Sequence, residues 1–231
     1  YKIDAIVHSA AVGDYKGRYV IRAEDIVEEK KQQPKETKKP KEKQVLAQYK
    51  DLYEENSDLV GWITIDKTSI NYPVMQTKDD PTFYIHRDWN KKDSITGLPL
   101  IDARCTLKSE NIIIYSHNMK NGTMFSDITK YRNETFCTEH PTIEFETGQG
   151  LKIYNVFAVV QVKNDDEWYR FTVSTDESDY ENKISEISKA ALYTTDIIPE
   201  YGQQILTLST CYGNSKSDRL IVIAIENNIY E

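Results

Sequence analysis

Residues 204–219 read QILTLSTCYGNSKSDR, and the reading of this stretch decides the fold. It starts as a short apolar run, residues 205–208, made of residue types that favour strands. It then enters a polar turn, residues 213–218, rich in Gly, Asn and Ser. A second apolar run, residues 220–225, follows at once. The pattern predicts strand, loop, strand, with Cys211 at the end of the first strand and Arg219 at the start of the second. If the two strands are neighbours, the turn brings Arg219 beside Cys211. A guanidinium next to a sulfur favours thiolate and can also hold an oxyanion. The competing reading is an inert core thiol, since Cys is among the most buried residue types.

A second stretch, residues 111–125, NIIIYSHNMKNGTMF, has the same layout. An apolar strand, residues 112–115, runs into a polar loop carrying His117. A cysteine nucleophile needs an acid or base partner that is adjacent in space rather than in sequence. A papain-like hydrolase would place Cys at the start of a helix and ahead of His. Here His comes first and Cys ends a strand.

These segments resemble the sortases and, within them, class B. The resemblance rests on DLVGWITI (58–65), INYPVMQ (70–76), YSHNM (115–119), GTMF (122–125) and LTLSTC (206–211), which come in the family's order, with Arg219 eight residues after the cysteine. It spans residues 44–231. Ser116 departs from the Gly that the family more often has before the histidine, which bears on how His117 is aimed. The resemblance implies a mainly β fold with peripheral helices: a closed barrel of about eight strands, an N-terminal helix and a long helix between the sixth and seventh strands. It also implies a cysteine transpeptidase. Cys211 would be the nucleophile, His117 the acid and base, and Arg219 the oxyanion stabiliser or the group that holds the signal's backbone. Asn71, Ser209, Thr210 and Tyr169 are the candidates for binding substrate; strand-end packing is the alternative for Ser209 and Thr210. The substrates would be surface proteins with a C-terminal sorting signal, NPQTN-like or [NSP]PxTG-like, cut after Thr. The acceptor would be an amine of a peptidoglycan precursor or cross-bridge. No cofactor and no metal are expected. The expected place is the extracytoplasmic face of the membrane, through an anchor outside these residues, since the chain opens on Tyr1 rather than Met.

Composition is consistent with that reading. The 231 residues suit one ordinary domain with an appendage. Lys and Arg number 29 against 37 Asp and Glu, a net charge of −8. Residues 29–43, EKKQQPKETKKPKEK, carry a local +4, which leaves −12 on the remainder. An acidic body argues against nucleic acid as a partner. The 29–43 stretch has two prolines and no aliphatic or aromatic residue, so it reads as a solvated linker. This divides the chain into an unassigned extension (1–28), a linker (29–43) and a catalytic domain (44–231). Three cysteines, an odd number, leave at least one unpaired within the chain. No CxxC metal pattern occurs, and a His86–His117–Cys211 zinc set lacks ligand spacing. No apolar run is long enough to cross a membrane as a helix.

Along the domain, residues 44–56 have the spacing of an amphipathic helix through Val45, Leu46, Tyr49, Leu52 and Tyr53. Strands are predicted at 61–65, 70–74, 98–101, 112–115, 142–145 and 151–162, with a short helix at 123–131. Pro73 fits a strand edge. A helix is predicted at 178–193, capped by Ser178 with Glu181. Asp127 and Asp218 are not needed to orient the histidine, and Asp218 reads as a turn residue. Two rivals remain open: a cysteine peptidase that cuts without transfer, and a non-catalytic surface-binding barrel in which Cys211 is merely buried.

Overall fold

The computed structural model of the protein describes residues 49–227 in full and, by backbone alone, Ile6–Val7 and Tyr19–Val20. The chain divides into two units, Tyr1–Glu42 and Lys43–Glu231. In the first, Ile6–Val7 pairs antiparallel with Tyr19–Val20. The 29–43 stretch and the first turn of the predicted 44–56 helix lie outside the described residues.

The described residues of the second unit form nine strands, in order β1 (Leu59–Thr64), β2 (Asn71–Met75), β3 (Leu100–Ile101), β4 (Asn111–Tyr115), β5 (Thr142–Thr147), β6 (Gly150–Lys163), β7 (Ala191–Thr194), β8 (Ile205–Cys211) and β9 (Asp218–Glu226). Pairing runs β9-β8-β4-β3-β2-β1-β5-β6, and β6 then pairs back with β9. Eight strands therefore close into a mixed barrel with no free edge in the ring. β7 hangs outside the ring on β6. The long strand predicted at 151–162 is β6. It is paired with β5, β7 and β9, which explains why its middle, residues 156–160, is buried and apolar on both faces. Pro73 lies in β2 where the strand meets β1 but not yet β3, whose ladder pair with β2 is Met75 with Leu100.

Every strand of the ring feeds one buried apolar cluster; Ile63, Ile113, Phe145, Val159, Leu208 and Val222 are fully buried members. Burying each such side chain contributes about 1.5–3 kcal/mol before chain entropy is counted. A smaller cluster of Leu59, Met75, Tyr84 and Leu100 receives Tyr49 and Leu52. Leu52 belongs to α1 (Lys50–Glu55), so of the predicted N-terminal stripe Tyr49 and Leu52 pack here.

Among the described residues the α-helices are α1, α2 (Glu134–Glu139) and α3 (Glu177–Ala190). α3 lies between the sixth and seventh strands and buries Tyr180 and Ile187. It begins one residue earlier than predicted, because Asp176 rather than Ser178 is the cap and its carboxylate accepts from Asp179 N at 2.9 Å. It also ends earlier, since residues 191–194 pair with β6 instead of continuing the helix. The short helix predicted at 123–131 is a 3-10 segment, Phe125–Arg132, with Phe125 and Ile128 buried. Among the described residues no helix is long and apolar enough to cross a membrane.

Candidate active site

β8 lies between β4 and β9, parallel to the first and antiparallel to the second. Its burial is continuous from Ile205 to Thr210 and stops at Cys211, which is exposed. The strand thus carries the thiol out of the core at its last residue. The antiparallel register sets Cys211 opposite Arg219. Directly opposed residues put their Cβ atoms about 4.5–5.5 Å apart on one face. The parallel register pairs Ser209 with Tyr115, an offset of 94, and two residues on the same offset sets Cys211 level with His117. The strand ends are tied at that level. Ser116 N donates to Ser209 O at 3.2 Å, Thr210 Oγ1 donates to Ser116 O at 2.9 Å, and Asn118 Nδ2 donates to Cys211 O at 3.0 Å. Cys211 and Arg219 are thus opposed on adjacent strands, and His117 lies in the loop two residues beyond the last β4–β8 pair, between Ser116 and Asn118, which bond to the end of β8.

Local sequence explains each placement. In the β8–β9 turn Gly213 has φ +114, where a Cβ would run into Asp218 at 2.6 Å. Asp218 closes the turn by accepting from Ser215 N at 2.8 Å. Its hydrogen bond to Lys163 and this amide hold its carboxyl below the usual range. Arg219 Nη1 donates to the carbonyls of Lys216 at 2.8 Å and Asp218 at 2.9 Å, which braces the guanidinium. The His117 loop is closed by Phe125 N donating to His117 O at 2.9 Å and by the Asn118–Met124 bridge. Met124 sits at φ 59 and is held by its amide donating to Tyr72 Oη at 3.0 Å.

His117 Nε2 lies 3.0 Å from the Ile85 carbonyl, and the His117 ring stacks on His86 at 5.5 Å between centroids. The carboxylates of Asp127 and Asp218 are engaged elsewhere. Asp127 accepts from Ser69 N at 2.7 Å and pairs with Lys130.

The three thiols differ sharply. Cys105 and Cys137 are buried; burial pushes the Cys105 thiol up to about 11 and raises that of Cys137. Cys211 is exposed. Only an accessible thiol that can ionise can act as a nucleophile.

Of the residues expected to bind substrate, Asn71 is exposed at the start of β2 and accepts from Trp62 Nε1. Ser209 and Thr210 are buried on β8. Ser209 Oγ and Tyr169 Oη share a 2.7 Å hydrogen bond. Tyr169 comes from a 3-10 turn, Glu167–Arg170, and is itself buried. Burial pushes its hydroxyl up to about 12, against the lowering effect of Ser209 and of the Arg219 charge. Tyr169 thus supports the floor under Cys211 and Arg219 and leans on Tyr115, 5.8 Å between rings. Sequence reasoning missed Asn118 and Ile85 and weighed His86 only for a zinc set; the carbonyl and the stacked ring leave no sequence signature. A cavity of about 520 Å³ beside α2 and β7, lined in part by Cys137 and Tyr193, includes none of these residues.

The comparisons with known proteins point to one family. A sequence model of the family described as "Sortase domain" matches residues 63–227. "Sortase B" of Listeria monocytogenes is 35% identical over 170 residues, 73% of this chain and 68% of that protein. "Sortase B" of Staphylococcus aureus is 30% identical over 184 residues, 78% of this chain and 75% of that protein. The structure titled "Staphylococcus aureus sortase B-substrate complex" superposes with a TM-score of 0.75 at 29% identity, covering 80% of this chain and 87% of that one.

Proposed function

The chain belongs to the sortase family, in its class B, and is a sortase-type cysteine transpeptidase; from that premise we propose that Cys211, His117 and Arg219 carry the reaction, on a sorting-signal peptide and a cell-wall amine. The observation that supports these roles is the exposed Cys211 thiol, paired with Arg219 across β8 and β9 and tied at its carbonyl to Asn118, the residue after His117.

In this reading the Cys211 thiolate attacks the carbonyl carbon of the residue before the scissile bond, normally Thr. The carbonyl electrons move to oxygen, and the Arg219 guanidinium stabilises that oxyanion. When the intermediate collapses, the C–N bond breaks and the His117 imidazolium gives its proton to the departing amine. A thioester remains. An incoming amine attacks it, His117 takes the amine's proton, and the C–S bond breaks to return the thiolate and a new amide. Atoms and charge balance with no cofactor.

A signal of the NPQTN or [NSP]PxTG type, and a peptidoglycan amine as acceptor, are the substrates that class B membership favours. Work at the outer face of the cell membrane follows from that pair. Asn71, exposed at the rim on β2, is the candidate for direct substrate contact. Ser209, Thr210 and Tyr169 would act from beneath by holding the strand that carries the thiol.

The test is a panel of quenched peptides carrying NPQTN, NPKTG, SPKTG, PPKTG and LPETG, with and without triglycine or a diaminopimelate-containing stem peptide. Cleavage of a class B signal with product joined to the amine is the expected result. Cleavage with water as the sole acceptor would instead favour a hydrolase. No cleavage, together with a Cys211 that resists methanethiosulfonate labelling, would favour a binding barrel.

A further inference from the structure

Residues 83–98 lie between β2 and β3 and contribute nothing to the barrel wall, yet they hold the catalytic candidate His117 from one side. The 3-10 turn Phe83–His86 is bracketed by the chain that follows it. Leu98 N donates to the Tyr84 carbonyl at 2.9 Å, and Ser94 N donates to the His86 carbonyl at 3.0 Å. The carbonyl between them, that of Ile85, is left to face His117 Nε2 at 3.0 Å. Gly97 has φ +56 and is pressed against the same peptide group. A Cβ on Gly97 would stand 2.6 Å from the Ile85 carbonyl carbon and closer still to its oxygen and to that of Tyr84. The turn is anchored below by Tyr84, whose buried hydroxyl accepts from Asn56 Nδ2 at 2.8 Å and donates to Asp58 at 2.9 Å. Beside it, the His86 ring lies on the His117 ring, tilted by 26°.

A carbonyl oxygen only accepts, so the ring nitrogen that faces it carries hydrogen. Neutral His117 held this way is the Nε2–H tautomer, and Nδ1 is the one nitrogen left to take and give a proton. We propose that the Ile85 carbonyl, set by Gly97 and flanked by the His86 ring, is a positioning device that fixes the His117 tautomer and makes Nδ1 the proton-transferring atom. Gly97, Ile85 and His86 touch neither thiol nor peptide in this scheme; they act through His117. The proposal rests on the reading of His117 as acid and base.

The test has two arms. In the first, the full chain is labelled with 15N-histidine, and the tautomer of neutral His117 is read from its ring-nitrogen shifts, with His117→Gln as the assignment control. This arm needs no substrate. A pyrrole-type Nε2 and a pyridine-type Nδ1 are expected; the reverse assignment overturns the proposal. In the second, Gly97→Ala displaces the Ile85 carbonyl. A mixed or reversed tautomer is expected, with kcat for the cleaved signal peptide down roughly 10- to 100-fold and KM within about 2-fold, the scale of a small misplacement of a catalytic group. Methanethiosulfonate labelling of Cys211 should persist. A folded Gly97→Ala with wild-type tautomer and kcat overturns the proposal. Should Gly97→Ala not fold, His86→Ala and His86→Phe replace it. The first removes the stacked ring and should lower kcat by about 10-fold; the second keeps a ring and should restore most of it. Equal kcat in wild type and both variants overturns the part of His86. The underlying reading fails separately: a His117→Gln enzyme that still turns over removes His117 from the chemistry whatever its tautomer, whereas a dead His117→Gln with a pyrrole-type Nδ1 in the wild type leaves the acid–base role standing and removes only the device.

Discussion

Cys105 and Cys137 are buried in the core with their thiols raised by burial, while Cys211 stands exposed opposite an arginine. Cys211→Ala is therefore expected to abolish the acyl-enzyme, with Cys105 and Cys137 unable to substitute; a thioester adduct surviving in intact-mass spectra would remove Cys211 from the role. Arg219→Lys should lose at least about 10-fold in kcat, because an ammonium cannot reproduce the fork that Lys216 and Asp218 brace. Near-normal turnover would show that charge alone suffices. Ser116 presents a third residue-scale test. Its hydroxyl is buried and finds no partner in the structure, although its backbone N–H and carbonyl are both tied to β8. An unpaired buried hydroxyl costs about 1–3 kcal/mol. Ser116→Ala should raise the urea-unfolding free energy by about 1 kcal/mol and leave kcat within about 2-fold. A loss of stability would mean that the hydroxyl is satisfied in solution. The residue types of the site were readable from the chain, since a thiol ending one strand, a histidine ending another and an arginine opening a third are local signals. That Ser209 and Tyr169 bond each other was not readable, because a hydroxyl's partner 40 residues away depends on packing.

The strand β8 is held to its neighbours by more than its ladder. Thr207 Oγ1 accepts from Trp168 Nε1 at 3.1 Å and donates to Asn111 Oδ1 at 2.8 Å, while Asn111 Nδ2 donates to the Phe171 carbonyl at 2.9 Å. All of these side chains are buried. The network ties β4 and β8 to the turn that delivers Tyr169. Thr207→Val keeps the volume but strands an indole N–H and an amide oxygen, so a loss of about 2–4 kcal/mol is expected in urea melts. A loss below about 0.5 kcal/mol would mean that water or a shift of Asn111 repairs the gap. Strand types and order were legible because apolar runs and turn residues are local. Boundaries were less so. Asp176 and Ser178 both have a carboxylate residue three positions on, and local pattern cannot rank two such caps; the first one won, with Asp179 N as its donor. Residues 191–194 continue a helical stripe on paper but find a partner in β6, and pairing overrides propensity there.

On the scale of the whole molecule, the linker composition of residues 29–43 predicts that deleting residues 1–43 leaves kcat on a free signal peptide within about 2-fold. A large loss would mean that the extension helps build the site. Stability should also follow two carboxylates. For Asp102 burial opposes ionisation, but hydrogen bonds from Arg104 and Tyr115 outweigh it; for Asp127 burial is outweighed by Lys130 and the Ser69 amide. Both carboxyls are held below their ordinary range, so the folded state favours the ionised forms. Their contribution is complete above the unfolded carboxylate value, about 3.9, and is lost as pH falls through that value and below. Urea midpoints should stay flat from pH 7 to about 5 and drop below about 4, with a smaller drop in Asp102→Asn; an unchanged slope in that variant would assign the acid sensitivity elsewhere. By itself the sequence determined the class of fold, the run of strands and the family, and it named the three candidate residues of the site, because periodicity, turn chemistry and short motifs act over a few residues. Only the tertiary structure decided that β4, β8 and β9 are neighbours, that Cys211 is set opposite Arg219, and that the Ile85 carbonyl, with Gly97 pressed behind it, faces the histidine. Those facts depend on closure of the barrel, which joins segments about a hundred residues apart through non-local pairing that no local pattern encodes.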